Sequence, residues 1–413
     1  MELTTPGTRP DPWLNRLHER VSAELPAYLA DLETLVDIDS GSYTKSGVDR
    51  VGSWMADALG ALGGAVQVLP NADLGNTVVA TFRGRGTGRV LVIGHTDTVF
   101  DPGTAAERPF RVEGGRAYGP GVCDMKSGLL AGVYALRALR AAEPGASPWL
   151  PCATLTFVAN PDEEIGSPAS TSVIRALAAG HDAALVLENA RANGDIVSAR
   201  KGNLSLVLRL RGRAAHAGVE PEKGRSAVLE AAHKTVALHA LNGRWPGVTC
   251  NVGVVRGGTR PNVVAEEALL EVDVRSPSRA DLEAAEAAVR EIAAAFTVPD
   301  VACEVELRGR HWPMERTGAA EALVAAATGI AERLGVPLRD ASTGGASDAN
   351  TTAGEGLPSL DGLGPIGGLD HSPDEYVEVS SIVPRVTLLA ALIRAIGEGT
   401  VPVVAEEVAG RGR

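Results

Sequence analysis

The chain has 413 residues, of which 39 are basic, 51 are acidic and 45% are hydrophobic, so its formal charge is −12. This balance is typical of a globular protein and excludes a disordered chain. The acidic excess argues against nucleic acid and against an anionic membrane surface as partners, because both require clustered lysine and arginine.

Three further observations bear on the compartment. Apolar runs fall short of the ~18–20 residues of a membrane-spanning helix, and the N-terminus lacks the basic start and apolar core of a signal peptide. No two cysteines have CxxC spacing, which favours buried thiols in a reducing, cytoplasmic compartment. The cysteines are Cys123, Cys152, Cys250 and Cys303.

Apolar residues at helical spacing predict a first helix from about Trp13 to Ile38. Short apolar runs then alternate with helical segments, and each run ends in a loop that carries His, Asp or Glu. Strands alternating with helices predict a mostly parallel sheet that helices cover on both faces. The strands are GRVLVIGHTDTV from Gly88, ATLTFVANPDEE from Ala153 and DAALVLENA from Asp182, and the helices are SGLLAGVYALRALRAA from Ser127 and residues 170–179.

The pattern changes between about Arg200 and Arg310, where elements follow in the order β-α-β-β-α-β. This order is that of the split ferredoxin-like unit. After it, the alternation of strands and helices resumes. The sequence therefore predicts an α/β protein with a discontinuous, mostly parallel α/β domain, residues 1–199 and 312–413. A ferredoxin-like α+β domain, residues 200–311, is inserted in it.

The loops after the strands carry the residue types of a metal centre. His95 and Asp97 form an H-x-D pair, in which the imidazole would bind a metal ion and the carboxylate would hold its second nitrogen. Because the working residues of parallel sheets lie just beyond the carboxyl ends of the strands, the other acidic loops are expected nearby. The remaining candidates are Asp124, Glu163, Glu164, Glu188 and His371.

Two imidazoles and several carboxylates without thiolates suit zinc or another first-row divalent ion in an open catalytic site. A carboxylate shared by two ions would leave each ion one His and one terminal carboxylate, as in two-metal hydrolases with ions ~3.5–4 Å apart. Taken singly, a His or an acidic residue in a loop is usually only solvated. Their joint occurrence where burial would isolate charge favours the metal centre.

Seven segments occur in order along nearly the whole chain, from about residue 30 to about residue 398. They are GHTDTVF (94–100), GPGVCDMKSG (119–128), NPDEEIGS (160–167), LVLENA (185–190), GRAAHAG (212–218), RPNVVAEEALLEVDVR (260–275) and HSPDEYVEV (371–379). Together they resemble the M20 metallopeptidase family, and within it the glutamate carboxypeptidase (carboxypeptidase G-type) branch. The resemblance implies a split, zinc-dependent catalytic domain with an inserted dimerisation lid.

The resemblance also implies a role for each residue that matches a family motif. It implies two Zn2+ ions per subunit, with Co2+ or Mn2+ as alternatives. His95 and Glu188 would bind the first ion, Glu164 and His371 would bind the second, and Asp124 would bridge the two. Asp97 would orient His95, and Glu163 would be the general base. A cis peptide bond is implied between Asp124 and Met125.

In the lid, the resemblance implies that His216 stabilises the carbonyl oxygen in the active site of the other subunit of a homodimer. The alternative is that His216 only ends a strand and faces water. A substrate carboxylate requires guanidinium and amide donors. Candidates are Asn262, Arg275, Arg310 and, in the Gly-rich loop TGGASD, Ser347. Arg275 alternatively pairs with acidic neighbours on its strand.

These observations predict a dizinc metallohydrolase that cleaves an N-acyl amino acid or a C-terminal peptide bond. Metal-bound hydroxide would attack the amide while Glu163 carries the proton to the leaving amine. The substrate is expected to be a small N-acyl amino acid or short peptide, with glutamate as one candidate for the released residue. Glutamate-cleaving relatives place a lysine where this chain aligns Asp195, with Lys201 only nearby, which argues against strict glutamate specificity.

Three alternatives stay open. The first is an N-acyl-amino-acid deacylase of the acetylornithine or succinyl-diaminopimelate type. The second is an aminopeptidase, which would need an acidic group for the α-amine of the substrate. The third is a metal-binding or ligand-binding module without turnover, which would be expected had Glu163 or His216 been replaced.

Overall fold

A computed structural model describes residues 11–403 and divides the chain into two compact units. The first unit comprises the described residues up to Ser198, then Arg316–Ala341, and the described residues from Ser347 onward. The second unit comprises Ala199–Glu315 together with the short segment Ser342–Ala346. Each unit has its own cluster of buried apolar side chains.

The segment Ser342–Ala346 differs from the sequence-based boundaries, which assign it to the α/β domain. It belongs to the second unit because its backbone is hydrogen-bonded there. The N–H of Lys201 donates to the carbonyl of Thr343 at 3.0 Å, and the guanidinium of Arg275 donates to the carbonyl of Gly344 at 2.7 Å. The Gly-rich loop is thus divided between the two units.

The secondary-structure elements are numbered along the chain. The helices are α1 (Pro12–Val36), α2 (Lys45–Ala61), α3 (Thr104–Glu107), α4 (Ser127–Ala142), α5 (Thr171–Ala178), α6 (Ala227–His239), α7 (Arg279–Ala294), α8 (Gly318–Leu334), α9 (Asp348–Gly354) and α10 (Val379–Gly397). The strands are β1 (Ala65–Leu69), β2 (Thr77–Arg83), β3 (Arg89–His95), β4 (Arg111–Glu113), β5 (Arg116–Tyr118), β6 (Thr154–Asn160), β7 (Ala183–Val186), β8 (Ile196–Arg200), β9 (Gly202–Arg211), β10 (Thr249–Gly257), β11 (Glu267–Ser276), β12 (Ala302–His311), β13 (Asp340–Thr343), β14 (Ser359–Leu360), β15 (Gly367–Gly368) and β16 (Tyr376–Glu378).

The central sheet of the first unit has the strand order β1-β2-β6-β3-β7-β14. Strand β3 is parallel to both β6 and β7, and β14 is parallel to β7, whereas β1 and β2 form an antiparallel edge. In the register of β3 and β6, His95 lies opposite Asn160, so both strands end at the same edge. The predicted mostly parallel sheet is confirmed, and its carboxyl edge carries the acidic loops.

Helix α10 is longer and more apolar than the sequence-based expectation allows. Among the described residues it is the helix with the length and apolarity of a membrane span, with 19 residues and a mean hydropathy of 1.7. The expectation that every apolar run is too short for a membrane-spanning helix is therefore wrong for this segment. The helix is 67% buried and packs against α1, α4 and α8, which is the environment of a core helix.

The second unit is an antiparallel sheet with the order β10-β11-β9-β12 and two helices, α6 and α7. Along β9, the alternate residues Leu204, Leu206, Leu208 and Leu210 are buried in the apolar cluster of this unit. Alternation of this kind places one face of a strand on the core. On the opposite face Ser205 and Arg211 are exposed, whereas Val207 is buried. The predicted ferredoxin-like β-α-β-β-α-β unit is confirmed.

Candidate metal centre

His95 is the last residue of β3 and is 1% exposed. Its Nε2 atom lies 3.0 Å from Oδ1 of Asp124 and 3.7 Å from Oε1 of Glu188. Its Nδ1 atom lies 3.0 Å from the backbone oxygen of Asp97 and 3.4 Å from Oδ1 of the same residue. One imidazole nitrogen therefore faces two carboxylates, and the other is anchored by the loop that follows the strand.

Asp124 lies in the non-helical turn between Gly121 and helix α4, and its peptide bond to Met125 is cis, as the resemblance implies. Gly121 adopts φ 70°, a left-handed conformation that glycine adopts readily. The buried carboxylate of Glu375 accepts the N–H groups of Gly121, Cys123 and Asp124 at 3.0, 2.7 and 2.9 Å. These three bonds fix the turn that presents the Asp124 side chain.

The second oxygen of Asp124 faces a different imidazole. Nε2 of His371 lies 3.2 Å from Oδ2 of Asp124 and 3.2 Å from Oε2 of Glu164. His371 has φ 62°, which is uncommon for a residue other than glycine. Its side chain is 53% exposed, whereas that of Glu164 is 6% exposed, so this half of the centre opens to solvent.

The donor atoms form two groups that share His95. Those of His95, Asp124 and Glu164 all lie within 4.8 Å of one another, and so do those of His95, Glu163 and Glu188. Asp124 stands between the imidazoles of His95 and His371 with one oxygen toward each. The geometry thus brings together all five side chains predicted as ligands, with Glu163 beside them.

The two glutamates that follow β6 are held through their backbone. The N–H of Glu163 donates to Oδ1 of Asp97 at 3.1 Å, and the N–H of Glu164 donates to Oδ2 at 3.1 Å. The hydroxyl of Ser42 donates to the same Oδ2 at 2.7 Å. Asp97 was expected to hold His95, but the nearer acceptor for that ring is the Asp97 carbonyl. Its carboxylate lies 3.4 Å from the same ring nitrogen and also positions the turn that carries both glutamates.

Burial and hydrogen bonding have opposite effects on the pKa values of His95, His371 and Asp124. Burial lowers the pKa of His95, but hydrogen bonding led by Asp124 outweighs it and holds that pKa well above the usual value. Hydrogen bonds to Asp124 and Glu164 raise the pKa of His371 to about 11. Burial of Asp124 raises its pKa, yet its contacts with His371 and His95 lower it overall. Protein cations thus compensate part of the acidic charge.

The negative charges of Glu163 and Glu164 are less well compensated by protein cations. Burial, followed by the nearby charge of Glu188, raises the pKa of Glu163 well above its usual value. Burial also raises the pKa of Glu164, although its hydrogen bond to His371 acts in the other direction. Carboxylates that are buried together resist ionisation unless a cation joins them.

This donor set fits divalent cations. Imidazole nitrogens and carboxylate oxygens without thiolates are ligands of zinc, cobalt and manganese. Oε1 of Glu164 is buried and accepts no hydrogen bond from the described part of the chain. A buried carboxylate oxygen without a partner is costly, and coordination to a cation would satisfy it.

Two predicted residues lie together in the second unit, on the exposed loops before α6 and before β11. His216 forms a backbone bridge with Val263, and the N–H of Ala217 donates to the carbonyl of Asn262 at 3.0 Å. Nδ1 of His216 accepts the N–H of Gly218 at 3.1 Å. This bond fixes the tautomer of a neutral imidazole, so that Nε2 carries the proton.

The other predicted substrate contacts have structural partners. Arg275 pairs with Asp273 at 2.9 Å, the alternative that the sequence left open, and also binds the Gly344 carbonyl. Arg310 pairs with Glu286 and lies over the ring of Trp312.

Two further residues of the predicted substrate region lie in the first unit. Ser347 caps α9, and its hydroxyl donates to Asp361 at 2.6 Å. Asp195 accepts the side-chain amide of Asn193 at 2.8 Å within a turn.

Sequence reasoning missed the residues that support the centre. Glu375 lies in the segment HSPDEY, where only the histidine received a role. Asp348 is buried behind the glutamate turn and accepts hydrogen bonds from Asn160 at 2.5 Å and from Ser167 at 2.8 Å. The only sign of these supporting residues in the sequence was an acidic residue close to a predicted site segment. A single sequence does not show which donors such a carboxylate binds.

A model of peptidase family M20/M25/M40 matches residues 91–395. The chain is 32% identical over 390 residues to carboxypeptidase G2 of Pseudomonas sp. (strain RS-16), covering 93% of each protein. It is 28% identical to the N-acetyl-L-citrulline deacetylase of Xanthomonas campestris, covering 87% of this chain and 95% of that protein.

Among solved structures, the aminopeptidase PepT of Bacillus cereus matches with a TM-score of 0.71 and 24% identity. The match covers 92% of this chain and 98% of that one. This likeness supports the fold, and the sequence relatives include both a carboxypeptidase and a deacetylase by name.

Proposed function

The chain belongs to peptidase family M20/M25/M40 and is a hydrolase of amide bonds that uses divalent metal, and from this premise we propose a dizinc enzyme. It cleaves an N-acyl amino acid or the C-terminal bond of a short peptide and releases a free amino acid. The similarity to carboxypeptidase G2 over 93% of each protein favours this reaction over the other activities named among the relatives.

One observation carries the dinuclear proposal. The two oxygens of Asp124 face different imidazoles, Oδ1 toward His95 at 3.0 Å and Oδ2 toward His371 at 3.2 Å. A carboxylate in this position would be able to supply one oxygen to each of two cations. Glu188 would complete the first set of ligands, and Glu164 the second.

When bound, the cations would polarise the scissile carbonyl and make water acidic enough to supply hydroxide near neutral pH. Glu163 is the proposed general base, because its carboxylate lies within 4.8 Å of the donor atoms of His95 and Glu188 and because Asp97 fixes its backbone. Its environment raises its pKa, which suits a group that takes a proton and returns it to the leaving amine.

His216 is the proposed donor to the carbonyl oxygen during the reaction. Its Nδ1 accepts a backbone N–H, so Nε2 carries a proton to donate. Asn262 lies beside it and is the proposed contact for a substrate carboxylate or carbonyl. Substrate roles for Arg275, Arg310 and Ser347 stay predictions, since each of these side chains already has a protein partner.

The proposal includes a homodimer in which His216 serves the partner subunit. Helix α6 exposes Leu229 and Val236 at 51% and 73%, and the neighbouring strand β10 exposes Val255 at 55%. Strand β10 is also an edge strand of its described sheet, with backbone groups available for pairing. An apolar face beside a strand edge supports association of two copies.

We also propose a cytoplasmic location. The cysteines are free thiols, and three of them, Cys123, Cys152 and Cys250, are buried. Thiols of this kind are typical of a reducing compartment.

A substrate panel tests the proposed function. Zinc-loaded protein is offered N-acyl glutamates, dipeptides, acetylornithine and succinyl-diaminopimelate, with Glu163→Gln as the control, and free amine is measured. Hydrolysis of acyl glutamates or C-terminal peptide bonds, lost in the control, is expected. Turnover of acetylornithine or succinyl-diaminopimelate alone would indicate a deacylase. Turnover of peptides that requires a free amine would indicate an aminopeptidase, and no turnover at all would leave a binding module.

A further inference from the structure

Arg385 is a charged residue inside the apolar helix α10. It is 2% exposed, and its neighbours Val386, Leu388 and Leu389 belong to the apolar cluster of the first unit. Burial lowers the pKa of its guanidinium to about 10, so this group stays charged at neutral pH. Burying a charge is costly, and the proposed reaction assigns no role to this one. Its contacts therefore indicate what the charge does in the fold.

The guanidinium donates to three backbone carbonyls. Nε donates to Gly364 at 2.9 Å, Nη1 donates to Gly194 at 3.3 Å, and Nη2 donates to Gly362. Gly194 belongs to the loop after β7, whereas Gly362 and Gly364 belong to the segment after β14. Because a guanidinium is planar and carries donors on all three nitrogens, one side chain joins these two segments.

The two segments also pair with each other beside Glu188. The N–H of Gly364 donates to the carbonyl of Glu188 at 2.8 Å, and the N–H of Ala190 donates to the carbonyl of Pro365 at 3.1 Å. The backbone around Glu188 is therefore held by the segment that Arg385 binds.

Gly364 is the link between Arg385 and Glu188. A Cβ atom at this position would lie 2.8 Å from the carbonyl oxygen of Leu187 and 2.9 Å from that of Glu188. Glycine is the residue that allows backbone segments to approach so closely. Since the carbonyl of Gly364 binds Arg385 and its N–H binds Glu188, a displacement of the guanidinium would also displace the Glu188 backbone.

Glu188 and His371 differ in how they are held. The Glu188 carboxylate lies 3.7 Å from Nε2 of His95, in the first set of proposed ligands. His371 belongs to the second set and is separated from Gly364 by β15, which pairs with β16. The carbonyl of Ser372, beside His371, accepts the guanidinium of Arg108. The contacts of Arg385 therefore bear on the first set more directly than on the second.

Resting on the proposed function, we propose that Arg385 is a positioning residue for the first metal ion. It holds Gly364 against the backbone of Glu188 and thereby keeps the Glu188 carboxylate directed toward His95. Arg385 itself touches neither the ion nor the substrate. The ligands of the second ion keep their geometry without it.

Titration of metal-free protein with Co2+, followed by visible absorption, tests this role without turnover. Each set of ligands is isolated in its own background: His371→Ala retains the first set, and Glu188→Gln retains the second. In the His371→Ala background, Arg385→Lys and Gly364→Ala should each weaken Co2+ binding at least ten-fold, the effect typical of groups that orient metal ligands. In the Glu188→Gln background, the same two changes should alter the affinity less than two-fold.

Three control variants separate positioning from general stability. Arg394→Lys is the matched arginine change, because Arg394 lies in the same helix and pairs with Glu398. Gly329→Ala is the matched glycine change, at a position with open space around it. Leu389→Ala removes a fully buried side chain of α10 and should lower Tm. All three should leave the Co2+ affinity unchanged in both backgrounds.

Equal weakening in the two backgrounds would overturn the positioning role, as would an effect no larger than that of Leu389→Ala. Gly364→Ala keeps the test decisive if Arg385→Lys does not fold. Hydrolysis by the wild-type protein is measured separately. A background-specific loss of Co2+ affinity without any hydrolysis refutes the hydrolase and supports the role of Arg385, whereas hydrolysis without that loss refutes the role of Arg385 alone.

Discussion

Asp97 and Glu163 are joined by a hydrogen bond from the Glu163 N–H to Oδ1 of Asp97, the same oxygen that lies 3.4 Å from the ring of His95. A single carboxylate therefore fixes both the end of β3 and the start of the turn after β6. It connects a proposed metal ligand with the proposed base, although 66 positions separate Asp97 from Glu163 along the chain. A displacement of the Asp97 carboxylate would therefore move both His95 and the turn that carries Glu163.

Asp97→Asn is expected to lower kcat/KM by about 10- to 100-fold, the effect typical of groups that orient metal ligands. The amide keeps one acceptor oxygen and turns its NH2 toward the N–H of Glu163 or Glu164, which leaves a buried donor unpaired. The measurement is steady-state kinetics together with metal content. Ser42→Ala, which removes one hydroxyl donor to the same carboxylate, should cost only about 1 kcal/mol of stability and little activity. Wild-type kinetics for Asp97→Asn would contradict this positioning role.

Glu163→Gln is expected to lower kcat by about 10²–10⁴-fold, because an amide cannot accept the proton of the attacking water. The backbone bond to Asp97 does not involve the side chain, so the fold and the metal content should be unchanged. Kinetics and elemental analysis on the same sample separate the two effects. Glu113→Gln, at a side chain that is 79% exposed, is the matched control. Retention of most activity would show that another group is the base.

Asp124→Ala is expected to lower the metal content from two ions per chain to one or none, since the bridge belongs to both sets of ligands. Equilibrium dialysis against zinc followed by elemental analysis measures this directly. Asp57→Asn, at an exposed position of α2, controls for the loss of an acidic residue. A wild-type content of one ion per chain would contradict the dinuclear proposal before any variant is made.

The sequence was sufficient to predict the strands that carry the centre because they are buried on both faces. In β3, every residue after Arg89 is buried, so the run is continuously apolar up to His95. The inserted unit was equally predictable, because apolar residues alternate along most of β9 and the buried residues of α7 recur at helical spacing. In both cases the period of the apolar residues determines the element.

Other features depend on contacts that one sequence does not show. Strands β15 and β16 form a small sheet with β5 and β4, and none of them is longer than three residues. Arg385 is buried in α10 and donates to the carbonyls of Gly362, Gly364 and Gly194, far away along the chain. Such residues look like breaks in an apolar pattern until their partners are known.

Lys126 offers a prediction about pH. It is 1% exposed, donates to the carbonyls of Ile38 and Pro120, and has a pKa that burial lowers from 10.5 to about 8. Between pH 8 and 10.5 the unfolded chain keeps a proton that the folded protein has lost, so the contribution of Lys126 to stability rises with pH in this window. Below pH 8 both states are protonated and the contribution is constant.

The test compares the free energy of unfolding of metal-free wild-type protein and Lys126→Met at pH 7 and pH 10. The difference should move in favour of the wild type by up to about 3 kcal/mol, which follows from the lowered pKa at 1.36 kcal/mol per unit. Lys223→Met, at an exposed position, controls for the loss of a lysine at high pH. A difference that stays the same at both pH values would mean that Lys126 titrates alike in the folded and unfolded chain, and that its buried position does not disfavour its charge.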